Sequence, residues 1–114
     1  QNILAALRKI AEARVITVFG CGGDRDKTKR PQMGKIAADM SDFVVITSDN
    51  PRTEDPQTIV NEIAEGTKGA KIPVVTITDR TEAIEFALNE ANENDIVLIT
   101  STFSRPLILF KNLS

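Results

Sequence analysis

The chain has 114 residues, of which 41% are hydrophobic and 26% charged, and its formal net charge is -2. This length fits one domain with a single buried core, and the composition is typical of a globular protein rather than a disordered one. The net negative charge argues against a nucleic-acid partner. No apolar run approaches the roughly 20 residues of a membrane span, and the chain shows no leader pattern. The sequence therefore predicts a cytoplasmic protein with no nucleic-acid or membrane partner.

Two residue counts narrow the chemistry further. A single cysteine, Cys21, cannot form an internal disulfide, which fits a reducing compartment. Histidine, the commonest general base and metal ligand, is absent. The sequence therefore predicts neither a catalytic triad nor a metal site, and we assign no catalytic residue and no metal ligand.

The first half of the chain predicts two helices, each followed by a strand. Apolar residues at helical spacing predict the first helix over residues 3–12, and a strand follows at about residues 14–19. Pro31 suits the first turn of the second helix, which ends near Ser41. The second strand covers residues 43–47.

The third helix has a signal at each end. Asp55 and Pro56 read as an N-cap followed by a first-turn proline. Gly66 is predicted to end the helix in the left-handed cap conformation that glycine adopts readily.

The last part of the chain predicts three more elements and an edge. Residues 73–77 form the third strand, Asp79 or Thr81 caps the fourth helix, and residues 95–100 form the fourth strand. Residues 107–110 fit a fifth strand at the edge of the sheet, with a proline tolerated just before it, and a docked terminus is the alternative.

The order of elements is α-βαβαβαβ plus this edge strand, and the strands are nearly continuous apolar runs. Such strands are buried on both faces, which is typical of a parallel sheet with right-handed crossovers. The expected fold is an α/β three-layer sandwich with a mainly parallel, Rossmann-like sheet of four or five strands, in one domain spanning residues 1–114.

Loop A, defined as residues 20–31, follows the first strand and is rich in glycine and charge. Gly20, Gly22 and Gly23 let backbone N–H groups approach a bound group, and the Arg25 guanidinium suits a carboxylate or phosphate. A solvated basic turn, with Arg25 paired to a neighbouring aspartate, is the structural alternative. A phosphate-binding P-loop is excluded because the Gly-Lys-Ser/Thr ending is missing.

Loop B, defined as residues 49–55, follows the second strand. Asp49 can accept hydrogen bonds from an ammonium group, Arg52 can pair with a carboxylate, and Asn50 can do either. This set suits a zwitterion such as an amino acid. The alternative is a helix-capping turn with an internal pair between Asp49 and Arg52.

Together, Gly-Cys-Gly-Gly-Asp-Arg-Asp-Lys-Thr-Lys-Arg-Pro at residues 20–31 and Asp-Asn-Pro-Arg at residues 49–52 resemble the C-terminal domain of the Mur ligases of peptidoglycan synthesis. The similarity extends over roughly residues 3–100 and is strongest to the members that add meso-diaminopimelate. It implies that Arg25, Asp49, Asn50 and Arg52 bind the distal ammonium and carboxylate of that amino acid, beside the backbone of Gly22 and Gly23. Lysine-adding members lack the arginine at the position of Arg52.

The resemblance also implies a division of labour. The amino acid held by this domain attacks an acyl phosphate that is made with ATP and magnesium in a central domain, so the missing N-terminal and central ligase domains are the expected partners. The chain by itself is expected to bind no cofactor and to be inactive as a ligase.

Residues 101–114 depart from the family. After Ile99 the family continues into a Gly-Lys-Gly-His-Glu motif that also contacts the amino acid, whereas this chain reads Thr100-Ser101-Thr102-Phe103-Ser104-Arg105. Two other functions therefore stay open: an engineered or recombined non-catalytic scaffold derived from this domain, and a phosphate- or nucleotide-binding module that uses loop A.

Overall fold

A computed structural model describes residues 14–22, 27–50, 52–92, 95–101 and 107–110. The helix predicted over residues 3–12 lies outside this part of the chain. The strands are β1 (Val15–Cys21), β2 (Phe43–Ser48), β3 (Val74–Thr76), β4 (Ile96–Ser101) and β5 (Leu107–Phe110). The helices are α1 (Arg30–Asp39), α2 (Pro56–Glu65) and α3 (Arg80–Glu90), and a 3-10 turn at Lys27–Lys29 precedes α1.

The five strands form one sheet in the order β3-β2-β1-β4-β5. Strands β1 to β4 are parallel, whereas β5 runs antiparallel to β4. The predicted α/β fold and the edge strand are therefore confirmed. Because the chain builds outward from β1 through β2 to β3 and then returns to the other side of β1 with β4, the topological switch point lies between β1 and β4. Ligands of open α/β sheets bind at the carboxyl ends of the strands at such a point.

Helices cover both faces of the sheet, as a three-layer sandwich requires. One face packs against α3 through a buried cluster, and the opposite face packs against α1 and α2 through another. Alternating residues of each strand supply the two faces, since successive side chains of a strand point to opposite sides. The first cluster contains Ile16, Val18, Phe43, Val45, Ala83, Ala87, Ala91, Val97 and Ile99. The second contains Phe19, Cys21, Ala37, Ala38, Val44, Ile46, Ile59, Val60 and Ile63.

The role predicted for Gly66 is wrong. Its φ is -74°, an ordinary right-handed value, and the described glycine with a positive φ is Gly69, at 85°. Gly66 is required by packing instead, because a Cβ at this position would lie 1.7 Å from the carbonyl oxygen of Pro31. Gly34 serves the same contact from α1, where a Cβ would lie 2.2 Å from the carbonyl oxygen of Ile63. The two helices therefore meet backbone to backbone.

The two predicted N-caps differ in how they work. Asp79 accepts a hydrogen bond from the backbone N–H of Glu82 at 3.0 Å, so its capping of α3 is confirmed. Asp55 occupies the N-cap position of α2 without capping a backbone N–H through its side chain. Its carboxylate instead accepts a hydrogen bond from the Thr58 hydroxyl at 3.2 Å.

Polar contacts fasten the amino edge of the sheet. Arg14 donates to the Asp95 carboxylate from its backbone N–H and from Nε and Nη2, at 3.1 to 3.2 Å. Nearby, the hydroxyls of Thr17 and Ser41 share a buried hydrogen bond of 2.7 Å. These contacts lie at the end of β1 opposite to loops A and B. Within the described ranges, every helix is too short or too polar to cross a bilayer.

Candidate functional site

The ends of β1 and β2 bring loops A and B to the same edge of the sheet. Cys21 is in register with Ser48, so Gly22 and Asp49 leave the sheet side by side. Gly20 permits this approach, because a Cβ there would lie 2.8 Å from the Thr47 carbonyl oxygen and 3.3 Å from the Asp49 Cβ. The glycine is thus needed where loop B crosses the end of β1.

Loop B has an unusual backbone. Asn50 and Arg52 both have positive φ, at 47° and 56°. Asparagine tolerates the left-handed region, whereas arginine seldom enters it. Each such residue costs about 1–3 kcal/mol and persists only where the surrounding structure holds it, and these conformations cluster at binding sites. Loop B therefore has a shape that the rest of the domain must enforce.

The base of loop B is held by the carbonyl oxygen of Thr78, just after β3. This oxygen accepts hydrogen bonds from the Thr47 hydroxyl at 3.0 Å, the Ser48 hydroxyl at 3.0 Å and the Ser48 backbone N–H at 3.3 Å. The Thr78 hydroxyl in turn donates to Oε1 of Gln57 at 2.6 Å. The end of β2 is therefore fixed immediately before Asp49.

Arg30, the first residue of α1, joins loop A to loop B. Its side chain is buried, and it donates to both carboxylate oxygens of Glu54 at 3.0 and 2.7 Å and to Glu62 at 2.7 Å. It also donates to the backbone carbonyl of Gly22 at 3.1 Å. The hydrogen bonds to Glu54 are the main cause that raises the pKa of Arg30, and burial acts in the opposite direction.

This network gives Arg30, a cation of loop A, a buried role. Arg30 is not part of a solvated basic surface, because two carboxylates compensate it inside the protein. Sequence reasoning missed this role. The sequence did offer one signal: this arginine stands directly before Pro31, at the start of a helix that packs on the sheet, where a side chain can be buried.

Asp49 forms its ion pair across the sheet edge with Arg80, the first residue of α3. Nη1 of Arg80 lies 3.6 Å from Oδ1 of Asp49. The two side chains are 38% and 28% exposed, yet Nη1 itself is shielded from solvent and has no hydrogen-bond acceptor among the described residues. Within that part of the chain, Asp49 is not paired with Arg52, so the internal pair of the capping-turn alternative does not form.

The structure thus brings together four of the six residues predicted for the site. Gly22, Asp49, Asn50 and Arg52 lie at the carboxyl edge, whereas Gly23 and Arg25 lie outside the described residues. Arg52 is exposed and Asp49 is half-buried. Among the described residues, no group of three or more Cys, Asp or Glu side chains is placed to hold a metal ion.

Comparison with known proteins gives the same family by sequence. The family profile described as "Mur ligase, glutamate ligase domain" matches residues 1–103. A relative from Alkaliphilus metalliredigens is 56% identical over 99 residues, which are 87% of this chain and 20% of the relative. A relative from Solibacter usitatus is 54% identical over 99 residues, with the same two coverages. Both are named UDP-N-acetylmuramoyl-L-alanyl-D-glutamate--2,6-diaminopimelate ligase.

A solved structure is similar over the same part of the chain. The structure of a UDP-N-acetylmuramoyl-L-alanyl-D-glutamate--2,6-diaminopimelate ligase superimposes with a TM-score of 0.75 and 42% sequence identity. The match covers 87% of this chain and 20% of that one. The chain therefore spans about a fifth of the length of the relatives it matches.

Proposed function

This chain belongs to the Mur ligase family and corresponds to the C-terminal domain of those ligases, and on that basis we propose a function for it. We propose that it binds the amino-acid substrate of an amide-forming ligase of peptidoglycan precursor synthesis. The relatives' names make 2,6-diaminopimelate the first ligand to consider, in the meso form that the resemblance implies. The proposed binding residues are Asp49, Asn50, Arg52 and Arg25, with the backbone of Gly22 and Gly23. The proposed location is the bacterial cytoplasm.

The observation that carries this proposal is the shape of loop B. Asn50 and Arg52 adopt left-handed backbone conformations beside a half-buried Asp49, at the carboxyl edge of a parallel sheet. Hydrogen bonds hold the loop at both ends: Arg30 donates to Glu54, and the Thr47 and Ser48 hydroxyls donate to the Thr78 carbonyl oxygen. A loop held in a costly conformation with a carboxylate and a guanidinium at its tip is preorganised to bind a zwitterion.

In this proposal the domain contributes positioning rather than bond making. Asp49 accepts hydrogen bonds from the distal ammonium group and Arg52 pairs with the distal carboxylate, which leaves the other amine free to attack an activated carboxyl group. Holding two reactants in place removes much of the entropic cost of their encounter. The ATP and magnesium that activate the carboxyl group would be bound by other domains of a longer ligase.

The test is a titration of the isotope-labelled 114-residue chain with meso-diaminopimelate and, separately, with lysine, followed by amide chemical shifts. We expect saturable shifts at Gly22 and Asp49–Arg52 with diaminopimelate and weaker ones with lysine, which lacks the second carboxylate. A Kd of about 1 mM, equivalent to about 4 kcal/mol, would suffice. Arg52→Gln should weaken diaminopimelate binding about tenfold.

Lys35→Gln is the matched control for this variant, because Lys35 is an exposed cation on α1 that pairs with Asp39. It should leave the affinity unchanged. The proposal is contradicted if diaminopimelate causes no saturable amide shift up to its solubility limit. Shifts at Gly22 with ATP, and none with the amino acids, would instead support the nucleotide-binding alternative.

A further inference from the structure

Arg80 is a charged residue at the carboxyl edge that the proposed site does not include. We propose that Arg80 is a further binding residue of the amino-acid site, which holds a carboxylate of the ligand while Asp49 holds the adjacent ammonium group. The inference rests on the proposed function, since it assigns a second carboxylate-binding residue to the same site.

The first support is an unsatisfied donor. Nη1 of Arg80 is shielded from solvent, and none of the described residues accepts a hydrogen bond from it. Buried donors in proteins nearly always have a partner, and an exception needs an explanation such as a ligand. Asp49 does not satisfy this atom, because 3.6 Å is beyond hydrogen-bond distance. The guanidinium therefore still has a donor to offer to an oxygen acceptor.

The second support is the geometry of the pair. Oδ1 of Asp49 and Nη1 of Arg80 lie side by side, one acceptor and one donor of opposite charge. The ammonium and carboxylate of an α-amino acid are attached to the same carbon and are also side by side. Laid head to tail over the pair, such a group places its ammonium on Asp49 and its carboxylate on Arg80. Both ends of diaminopimelate are of this kind, whereas the distal end of lysine carries an ammonium group alone.

The third support is the small structural value of the pair. Both side chains are partly exposed, and such ion pairs contribute only about 0–1 kcal/mol to stability. Arg30 differs, because it is buried and makes four hydrogen bonds within the protein. Nη1 of Arg80 makes none with the described residues, so the guanidinium can turn toward a ligand at little cost to the fold.

The experiment compares the 114-residue chain with its Arg80→Gln and Arg80→Lys variants, using amide shifts to measure the Kd of meso-diaminopimelate and of lysine. We expect Arg80→Gln to weaken diaminopimelate binding about tenfold or more, with little change for lysine, so that discrimination between the two ligands falls. Arg80→Lys should recover part of the loss, because it keeps the charge and loses the planar fork.

Arg14→Gln is the matched control, because Arg14 has similar exposure and an ion pair with Asp95 at the opposite edge of the sheet. It should lower stability without changing either Kd. An unchanged diaminopimelate Kd in Arg80→Gln overturns the inference, and so does an equal loss for both ligands, which would mean that Arg80 only positions Asp49. If the unsubstituted chain does not bind diaminopimelate, the proposed function fails and the inference falls with it.

Discussion

Replacing Arg30 by methionine is expected to be among the most destabilising substitutions in this protein. The side chain is buried and supplies hydrogen bonds to Glu54, Glu62 and the Gly22 carbonyl oxygen. Methionine fills similar space but donates nothing. The Glu54 side chain, only 12% exposed, then loses two charge-assisted hydrogen bonds.

The expected cost is about 3–5 kcal/mol, the usual loss when one partner of a buried ion pair is removed. A domain of this size has a free energy of unfolding of about 5–15 kcal/mol, so the substitution removes a large share of it. Glu54 and Glu62 provide a graded comparison. Glu54→Gln, which weakens two hydrogen bonds at a buried carboxylate, should cost more than Glu62→Gln, whose side chain is 34% exposed.

Urea unfolding of the four proteins, followed by circular dichroism, measures these differences. We expect the free energy of unfolding to be highest for the unsubstituted chain and to decrease in the order Glu62→Gln, Glu54→Gln and Arg30→Met. A loss below about 1 kcal/mol in Arg30→Met would refute the reasoning, because a buried ion pair cannot then be what fastens loop A to loop B. Equal losses for the two glutamate variants would contradict the unequal burial of the pairs.

The stability that the Arg30 ion pair contributes should not change as pH rises from neutral to mildly alkaline. The pKa of Arg30 is raised in the folded state, so its stabilising contribution is fully present below the unfolded pKa and is lost only as pH rises through the folded value. Both values lie far above neutrality. We therefore expect the difference in stability between the unsubstituted chain and Arg30→Met to stay constant between roughly pH 6 and 9.

Three further predictions concern packing and buried polar groups. Gly66→Ala should cost about 3 kcal/mol or more in urea unfolding, because its Cβ would overlap the Pro31 carbonyl oxygen and α1 would have to move; a neutral result would contradict the close helix contact. Gly69→Ala should cost only about 1 kcal/mol by the same measurement, since its φ is 85° but nothing lies within 4 Å of the added Cβ. Thr17→Val should cost about 1–3 kcal/mol by leaving the buried Ser41 hydroxyl without its partner. Adding Ser41→Ala should then cost little more, and additive losses would argue against a shared hydrogen bond.

Local patterns in the sequence were sufficient to predict the strands and the described helices. Apolar runs of β-branched residues predicted β1 to β4 within about two residues at each end, and Leu107–Phe110 forms the expected edge strand. Asp79 was predictable as a cap because its partner, Glu82, is three residues away. Asp49 and Arg52 could be proposed as binding residues from the sequence because they follow a buried strand, and ligands of this fold class bind at the carboxyl ends of strands.

Contacts between distant parts of the chain needed the tertiary structure. The sequence did not show that Arg30 meets Glu54, that Gly66 meets Pro31 or that Asp49 meets Arg80, because each of these pairs joins different elements. Glycine after a helix commonly signals a left-handed cap, and here the close approach of α1 decides its role instead. The periodicity of apolar residues in the sequence shows which face of an element is buried, but not which residue of another element covers that face.

The sequence alone thus determined the class of fold, the order of its elements and the two loops that carry polar groups, because burial imposes a period of two on strands and of 3.6 on helices. Only the tertiary structure decided the strand order, and with it the switch point between β1 and β4. It also decided that loop B contacts Arg30 of one helical layer and Arg80 of the other. Those choices depend on how the sheet assembles, since parallel strands pair through long crossovers whose partners no local pattern encodes.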